Sequence, residues 1–179
     1  KVESAILVGD PAEEIVDYAD QENIGLIVMS THGRSGIKRW AMGSVADKVL
    51  RATMRPLALI RAKGASPDMR ERDMLNKALV SLDGSKESEA VIPYIGELAS
   101  KLKTEVVLLQ VVSPDYHIYT AGGHEYGVYA EQQVESIKTF AGDYLHRIGA
   151  QLKEKGVTAR SEVRVGTAAE EIIKFADEI

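Results

Sequence analysis

The chain has 179 residues, 22 basic and 27 acidic side chains, a formal net charge of -5, 45% hydrophobic residues and no cysteine. That is one domain or slightly more, with enough apolar content for a core. The acidic balance argues against a nucleic-acid partner, the absent cysteines exclude a disulfide framework and a thiolate zinc site, and apolar runs as short as Val106–Leu109 cannot span a bilayer. The expectation is a cytoplasmic protein without nucleic acid or membrane among its partners. No signal peptide is visible, although Lys1 is not an initiator methionine and a lost leader stays open.

Residues 4–8 read as a short strand. Asp10 then caps a helix that runs to about Glu22, with Pro11 at its first position, Glu13 at capping-box spacing, and Ile15, Tyr18 and Ala19 on one face. Gly25–Met29 is fully apolar, the mark of a strand buried on both faces. A loop from Ser30 to Gly43 leads to a helix over Ser44–Ala52, with Ser44 as cap, Asp47 three residues on, and Val45, Val49 and Leu50 as its apolar side. Leu57–Ile60 is another strand, and the polar, aperiodic stretch 63–73 is a linker.

A second series follows. Leu79–Leu82 is a strand, broken by Asp83-Gly84-Ser85; a helix then runs to about Leu102, with Val91, Ile95, Leu98 and Leu102 at helical spacing and a kink expected at Pro93. Glu105–Val112 is a long apolar strand, and Ser113–Gly127 a long loop. Val134, Ile137, Ala141, Leu145, Ile148 and Leu152 stripe the next helix. Glu162–Val165 is a strand, and Thr167 caps the closing helix.

One block occurs twice. Val8, Gly9, Ala12, Glu13, Glu14, Ile15, Ala19 and Asp20 return 157 positions later as Val165, Gly166, Ala169, Glu170, Glu171, Ile172, Ala176 and Asp177. A period about one domain long implies a tandem array. Residues 1–62 read as the back of one copy, 63–74 as linker and 75–179 as the front of the next. Alternating strands and helices imply right-handed crossovers and a parallel sheet covered on both faces. One unit assembled from both parts has five strands. Three arrangements stay open: a two-domain protein seen through a window, a permuted single unit, and exchange between two chains.

The segment from Met29 to Val45 carries the chemistry. It follows a strand and ends at a helix N-terminus, where amides lack internal partners and the dipole is positive. Gly33, Gly36 and Gly43 let backbone approach a phosphate, and Ser44 can face an anion. The competing reading is a tight strand-to-helix connection that needs glycine for its dihedrals. The segment is neither a P-loop, having no Gly-Lys-Ser/Thr, nor a dinucleotide Gly-x-Gly-x-x-Gly turn.

Three ordered motifs, GDPAEEIVDYA, MSTHGRSGIKRWAMGSVADKVLR and ALVSLDGSKESEAVI, resemble the universal stress protein family over nearly the whole chain. The resemblance implies an α/β, flavodoxin-like open sheet of five parallel strands in the order 3-2-1-4-5, often in a dimer or tandem pseudo-dimer. The family's nucleotide-binding branch carries Gly-x2-Gly-x9-Gly-Ser/Thr. Gly33, Gly43 and Ser44 match its last three positions, and Ser30 replaces its first glycine. By the same resemblance Asp83 is the carboxylate that ends the first strand and contacts the nucleoside, and Val111 lies where backbone meets adenine. Met29 and Val45 flank the phosphate loop. The implied cofactor is ATP, with or without Mg. Ligands of open parallel sheets bind beyond the strands' carboxyl ends at the switch point, where strands one and four meet, so in a permuted or exchanged unit one pocket would join Asp83 to Gly33, whereas in an intact tandem protein each would face a partner outside this chain.

Other residues carry less. His32 is a possible phosphate contact or a loop histidine without a role; Lys38 and Arg39 are solvated or screen a triphosphate; Trp40 packs or stacks on a ligand. His117 and His124, among Tyr116, Tyr119 and Tyr126, make a poor metal site and a better lid or partner surface. Glu13-Glu14 and Glu170-Glu171 are first-turn acids that favour the helix dipole. The leading expectation is a regulatory ATP-binding stress-response module. Its alternatives are a relative that binds no nucleotide and works through protein contacts, and a slow ATPase. No catalytic constellation is legible, which weakens the last. The exposed edge at Leu57–Ile60 predicts a homodimer or pseudo-dimer.

Overall fold

A computed structural model describes residues 1–31, 42–60, 75–113 and 126–179, the side chains of 126–133 excepted. The chain divides into two compact units, Lys1–Met69 and Arg70–Ile179.

The first unit contains α1 (Pro11–Gln21), β1 (Ile27–Ser30), α2 (Ser44–Ala52) and β2 (Leu57–Ile60). Asp10 caps α1 as expected, accepting from the amides of Ala12 at 3.0 Å and Glu13 at 3.4 Å. β1 and β2 run parallel, with Ile27 opposite Leu57 and Ser30 opposite Ile60. Ala12 and Ala19 of α1, Val49 of α2 and Ile27 form the core, with Met29 and Leu57 against it. Arg55 ties the end of α1 to the start of β2: its guanidinium reaches Asp20 and Asn23, each at 2.9 Å.

Three expectations change here. Residues 4–8 form no strand, and Ile6 and Val8 are each 94% exposed. Their equivalents 157 positions on lie in a paired strand. Among the described residues the first unit has no corresponding neighbour, and an extended segment without one gains no ladder bonds. β1 is covered on one face only: alternation turns Ile27 and Met29 toward the helices and leaves Val28 61% exposed. In α2, Gly43 holds the cap position and Ser44 the first helical one, while Ala46 is buried in place of the exposed Leu50.

The second unit contains β3 (Lys77–Ser81), α3 (Lys86–Glu89), α4 (Ile92–Leu102), β4 (Glu105–Val112), α5 (Tyr126–Glu154), β5 (Ala159–Val165) and α6 (Ala168–Glu178). The three strands are parallel in the order β3-β4-β5, with Ser81 opposite Leu109 and Val112 opposite Val165. β4 is central and buried on both faces. Val106 and Leu108 pack with Ile95 and Ala99 of α4 and Leu145, Ile148 and Leu152 of α5. Val107 and Leu109 pack on the opposite side against Phe175 of α6. Helices thus cover both faces of a parallel sheet. The α5 stripe lies as its spacing predicts.

The helix expected after Ser85 is two pieces. Pro93 sits in the first turn of α4. Ile92, Ile95 and Ala99 face the core, while Val91, Leu98 and Leu102 of the predicted stripe are exposed. Thr167 stands at the N-cap of α6 but makes no side-chain capping bond.

Candidate functional site

In the second unit the chain leaves β3 through Leu82, whose amide still bonds the Leu109 carbonyl at 2.8 Å. Extending that register places Asp83 level with Val111, at the carboxyl ends of adjacent strands. Gly84 takes φ +86, the left-handed turn that a side chain resists. Asp83 accepts from the Ser85 amide at 2.9 Å, while the Ser85 hydroxyl caps α3 by accepting from the Ser88 amide at 3.0 Å. Hydrogen bonds from Ser85, and then from Ser88, lower the Asp83 pKa to about 2. Asp83 is exposed, so the result is a fixed, ionised acceptor open to a ligand. Val111 is half-buried and packs against the α6-side core.

In the first unit, Met29 and Ser30 end β1, Met29 half-buried and Ser30 exposed. Gly43, Ser44 and Val45 open α2. The Gly43 amide is not available to a ligand: it donates to the Thr31 carbonyl at 2.9 Å. The first helical amides, of Ser44, Val45 and Ala46, have no acceptor within the helix, and Ser44 is exposed. The donor set expected at Gly43 therefore begins one residue later. Across this opening, Lys48 of α2 pairs with Asp10 at 3.0 Å, which lowers the Asp10 pKa and raises that of Lys48.

Gly33, His32, Gly36, Lys38, Arg39 and Trp40 lie outside the described residues, as do the linker, His117, His124, Tyr116 and Tyr119, and the side chain of Tyr126. Among the described residues no group of three or more His, Asp or Glu side chains is arranged to hold a metal, and no helix is long and apolar enough to cross a membrane.

Sequence reasoning passed over two residues. Among the described residues the Gln110 side-chain oxygen on β4 is buried without a hydrogen-bond partner, and the Tyr144 hydroxyl on α5 is buried beside Glu89 and Ser88. Gln110 had a signal, being the one polar side chain in the run Val106–Val112. Tyr144 had none, since its position beside the stripe looks like ordinary packing.

The model of the universal stress protein family matches residues 1–61 and 74–179. The chain belongs to the universal stress protein family. Among family members, Universal stress protein MJ0577 of Methanocaldococcus jannaschii is 35% identical over 65 residues, 36% of this chain and 40% of that protein. A universal stress protein of Methanothermobacter thermautotrophicus is 42% identical over 53 residues, 30% of this chain and 36% of the relative. The chain thus spans two fifths or less of the curated relatives it matches. The solved structure of a universal stress protein from Archaeoglobus fulgidus aligns with 99% of this chain and 55% of its own, with a TM-score of 0.64 at 22% identity. That likeness establishes the α/β fold.

Proposed function

We propose that the protein is a nucleotide-binding regulatory module that takes ATP, with or without Mg, at the carboxyl ends of its parallel strands. The observation that carries this reading is the opening of α2. As the next described element after the parallel strand β1, the amides of Ser44, Val45 and Ala46 begin a helix with an exposed serine at its first position. Such a terminus favours a polyphosphate by its unpaired donors and its dipole. A second support is Asp83, ionised and exposed at the corresponding end of β3, where open parallel sheets bind ligands. In this reading Met29, Ser30, Gly33, Gly43, Ser44 and Val45 of the first unit are phosphate-binding residues and Asp83 and the backbone at Val111 of the second are nucleoside-binding residues, each set belonging to the site of its own family domain. No residue is assigned a catalytic role, and hydrolysis is at most slow.

Mass spectrometry of nucleotide released from denatured protein tests the reading, together with calorimetry against ATP. Co-purified adenine nucleotide, or saturable binding weakened by Asp83→Ala, supports it. A protein that neither carries nor binds nucleotide is the stress protein acting through protein contacts.

We further propose that the units are the back of one family domain and the front of the next, that the protein is cytoplasmic, and that association runs through the edge of β2. That short strand pairs only with β1 among the described residues, and open edges invite pairing. Light scattering across a concentration series reports the assembly.

A further inference from the structure

We propose that a second copy of this chain docks its first unit on the second unit, adding its β1 parallel to the open edge of β3 and seating the uncovered face of that strand under the flank of α4. The inference is independent of nucleotide binding, and it leaves the edge of β2 open.

α4 carries an apolar surface that its own unit does not cover. At about 100° per residue, Val91, Tyr94, Leu98 and Leu102 fall within an arc of about 80°, and they are between 40% and 56% exposed. Ile92, Ile95 and Ala99 occupy the adjoining arc and face the core. Gly96 lies beyond them, where an added Cβ would stand 3.3 Å from Leu152 of α5. The exposed stripe is therefore on the flank away from α5. α4 connects β3 to β4, and α5 connects β4 to β5, so that flank overhangs β3. Among the described residues β3 pairs only with β4. An open strand edge beneath an exposed apolar stripe is a docking surface.

The chain itself supplies the matching surface. β1 pairs only with β2 among the described residues. Val28 and Ile60 share a face of that pair, the face that α1 and α2 leave uncovered, and both are exposed. Handedness brings this face to α4. Crossovers between parallel strands are right-handed. In the second unit the steps from β3 to β4 to β5 carry α4 and α5 over one face, with α6 on the other. With β1 beside β3 and β2 beyond it, the step from β1 to β2 runs in the opposite direction. Right-handed winding then sends α2 to the face of α6 and turns Val28 and Ile60 toward α4. The product is a parallel sheet in the order β5-β4-β3-β1-β2, covered on both faces as parallel sheets are. Two chains related by a two-fold axis make this contact twice, which buries both stripes and pairs every β1 and β3 edge. That reciprocity favours a second copy over an unrelated partner.

The chain contains no cysteine, so single introduced cysteines test the contact directly. Val28→Cys and Leu98→Cys are placed in separately tagged full-length chains, co-expressed, and treated with a short bismaleimide. We expect a mixed cross-linked pair from the two together and no cross-link from either alone. In sedimentation across a concentration series the wild type should be dimeric. Val28→Glu and Leu98→Glu, each a charge placed against an apolar surface, should weaken the dimer roughly tenfold or more while circular dichroism is unchanged. Tyr94→Glu supplies the comparison if Leu98→Glu fails to fold. A wild-type chain that is monomeric at every concentration overturns the inference, as does absence of the mixed cross-link. A dimer that survives all three variants also overturns it and assigns association to another surface, such as the edge of β2.

Discussion

The amide of Gly43 donates to the carbonyl of Thr31 at 2.9 Å, so the residue before α2 is bonded back to the residue after β1. This bond costs the site one donor and holds the others in place. Gly43 is extended, at φ -61 and ψ 145, a conformation that suits the residue before a proline. Proline is also favoured at the first helical position, where its missing amide breaks no intrahelical bond.

Ser44→Pro is therefore a clean deletion of one amide. We expect α2 to persist, with a melting temperature changed by roughly 2 °C or less. Affinity for ATP should fall roughly tenfold, the worth of one hydrogen bond to a charged group. Ser44→Ala keeps the amide and loses only the hydroxyl, so calorimetry of the two variants separates backbone from side chain.

Asp83 titrates at about 2, below the ordinary 3.8, because hydrogen bonds from Ser85 and Ser88 favour its charged form. A lowered carboxyl pKa stabilises the fold above the unfolded value, and that contribution fades as pH falls from about 4 through 2. Wild-type stability should therefore drop more steeply over that window than stability of Asp83→Ala. The causes are hydrogen bonds rather than distant charges, so added salt should leave the midpoint nearly unmoved. The carbon resonance of the Asp83 carboxyl group reports it directly, and Ser88→Ala should raise it.

β4 and α5 were legible because one physical signal decided each. Glu105–Val112 is apolar throughout and sits at the centre of its sheet, and the α5 stripe repeats at helical spacing over several turns. The face of α4 was not legible, because Ile92, Ile95 and Ala99 and the neighbouring Ile95, Leu98 and Leu102 are both apolar sets at helical spacing within one helix, and packing against the sheet chose the first. The position of Asp83 could be read, since a carboxylate followed by Gly84 ends the strand. Its bonding to Ser88 could not, because the orientation of that hydroxyl comes from the turn that opens α3.

The repeat contains its own controlled comparison. Asp10 and Thr167 occupy the same position in the two copies. Asp10 caps α1 through two amides and also pairs with Lys48, whereas Thr167 makes no capping bond. Loss of a bonded cap destabilises a helix, and loss of an unbonded one removes little. In thermal unfolding followed by circular dichroism, Asp10→Ala should lower the transition of the first unit by roughly a few degrees. Thr167→Ala should shift that of the second by roughly a degree or less.

The same logic extends to the segment before the cap. Residues 4–8 and 161–165 are equivalents in the repeat, yet only the second set lies in a ladder, with Val163 opposite Gln110 and Val165 opposite Val112. Sequence similarity brings both to the same strand propensity, and the difference lies in the neighbour. Protection from hydrogen exchange follows hydrogen bonding and burial rather than propensity. In exchange followed by mass spectrometry at low protein concentration, the amides of Ile6, Leu7 and Val8 should exchange at the rate of an unstructured peptide. The paired amides of β5 should be slowed by several orders of magnitude, because β4 beside them is among the most buried segments of the described chain. Equal protection of the two segments would mean that residues 4–8 find a strand partner in solution.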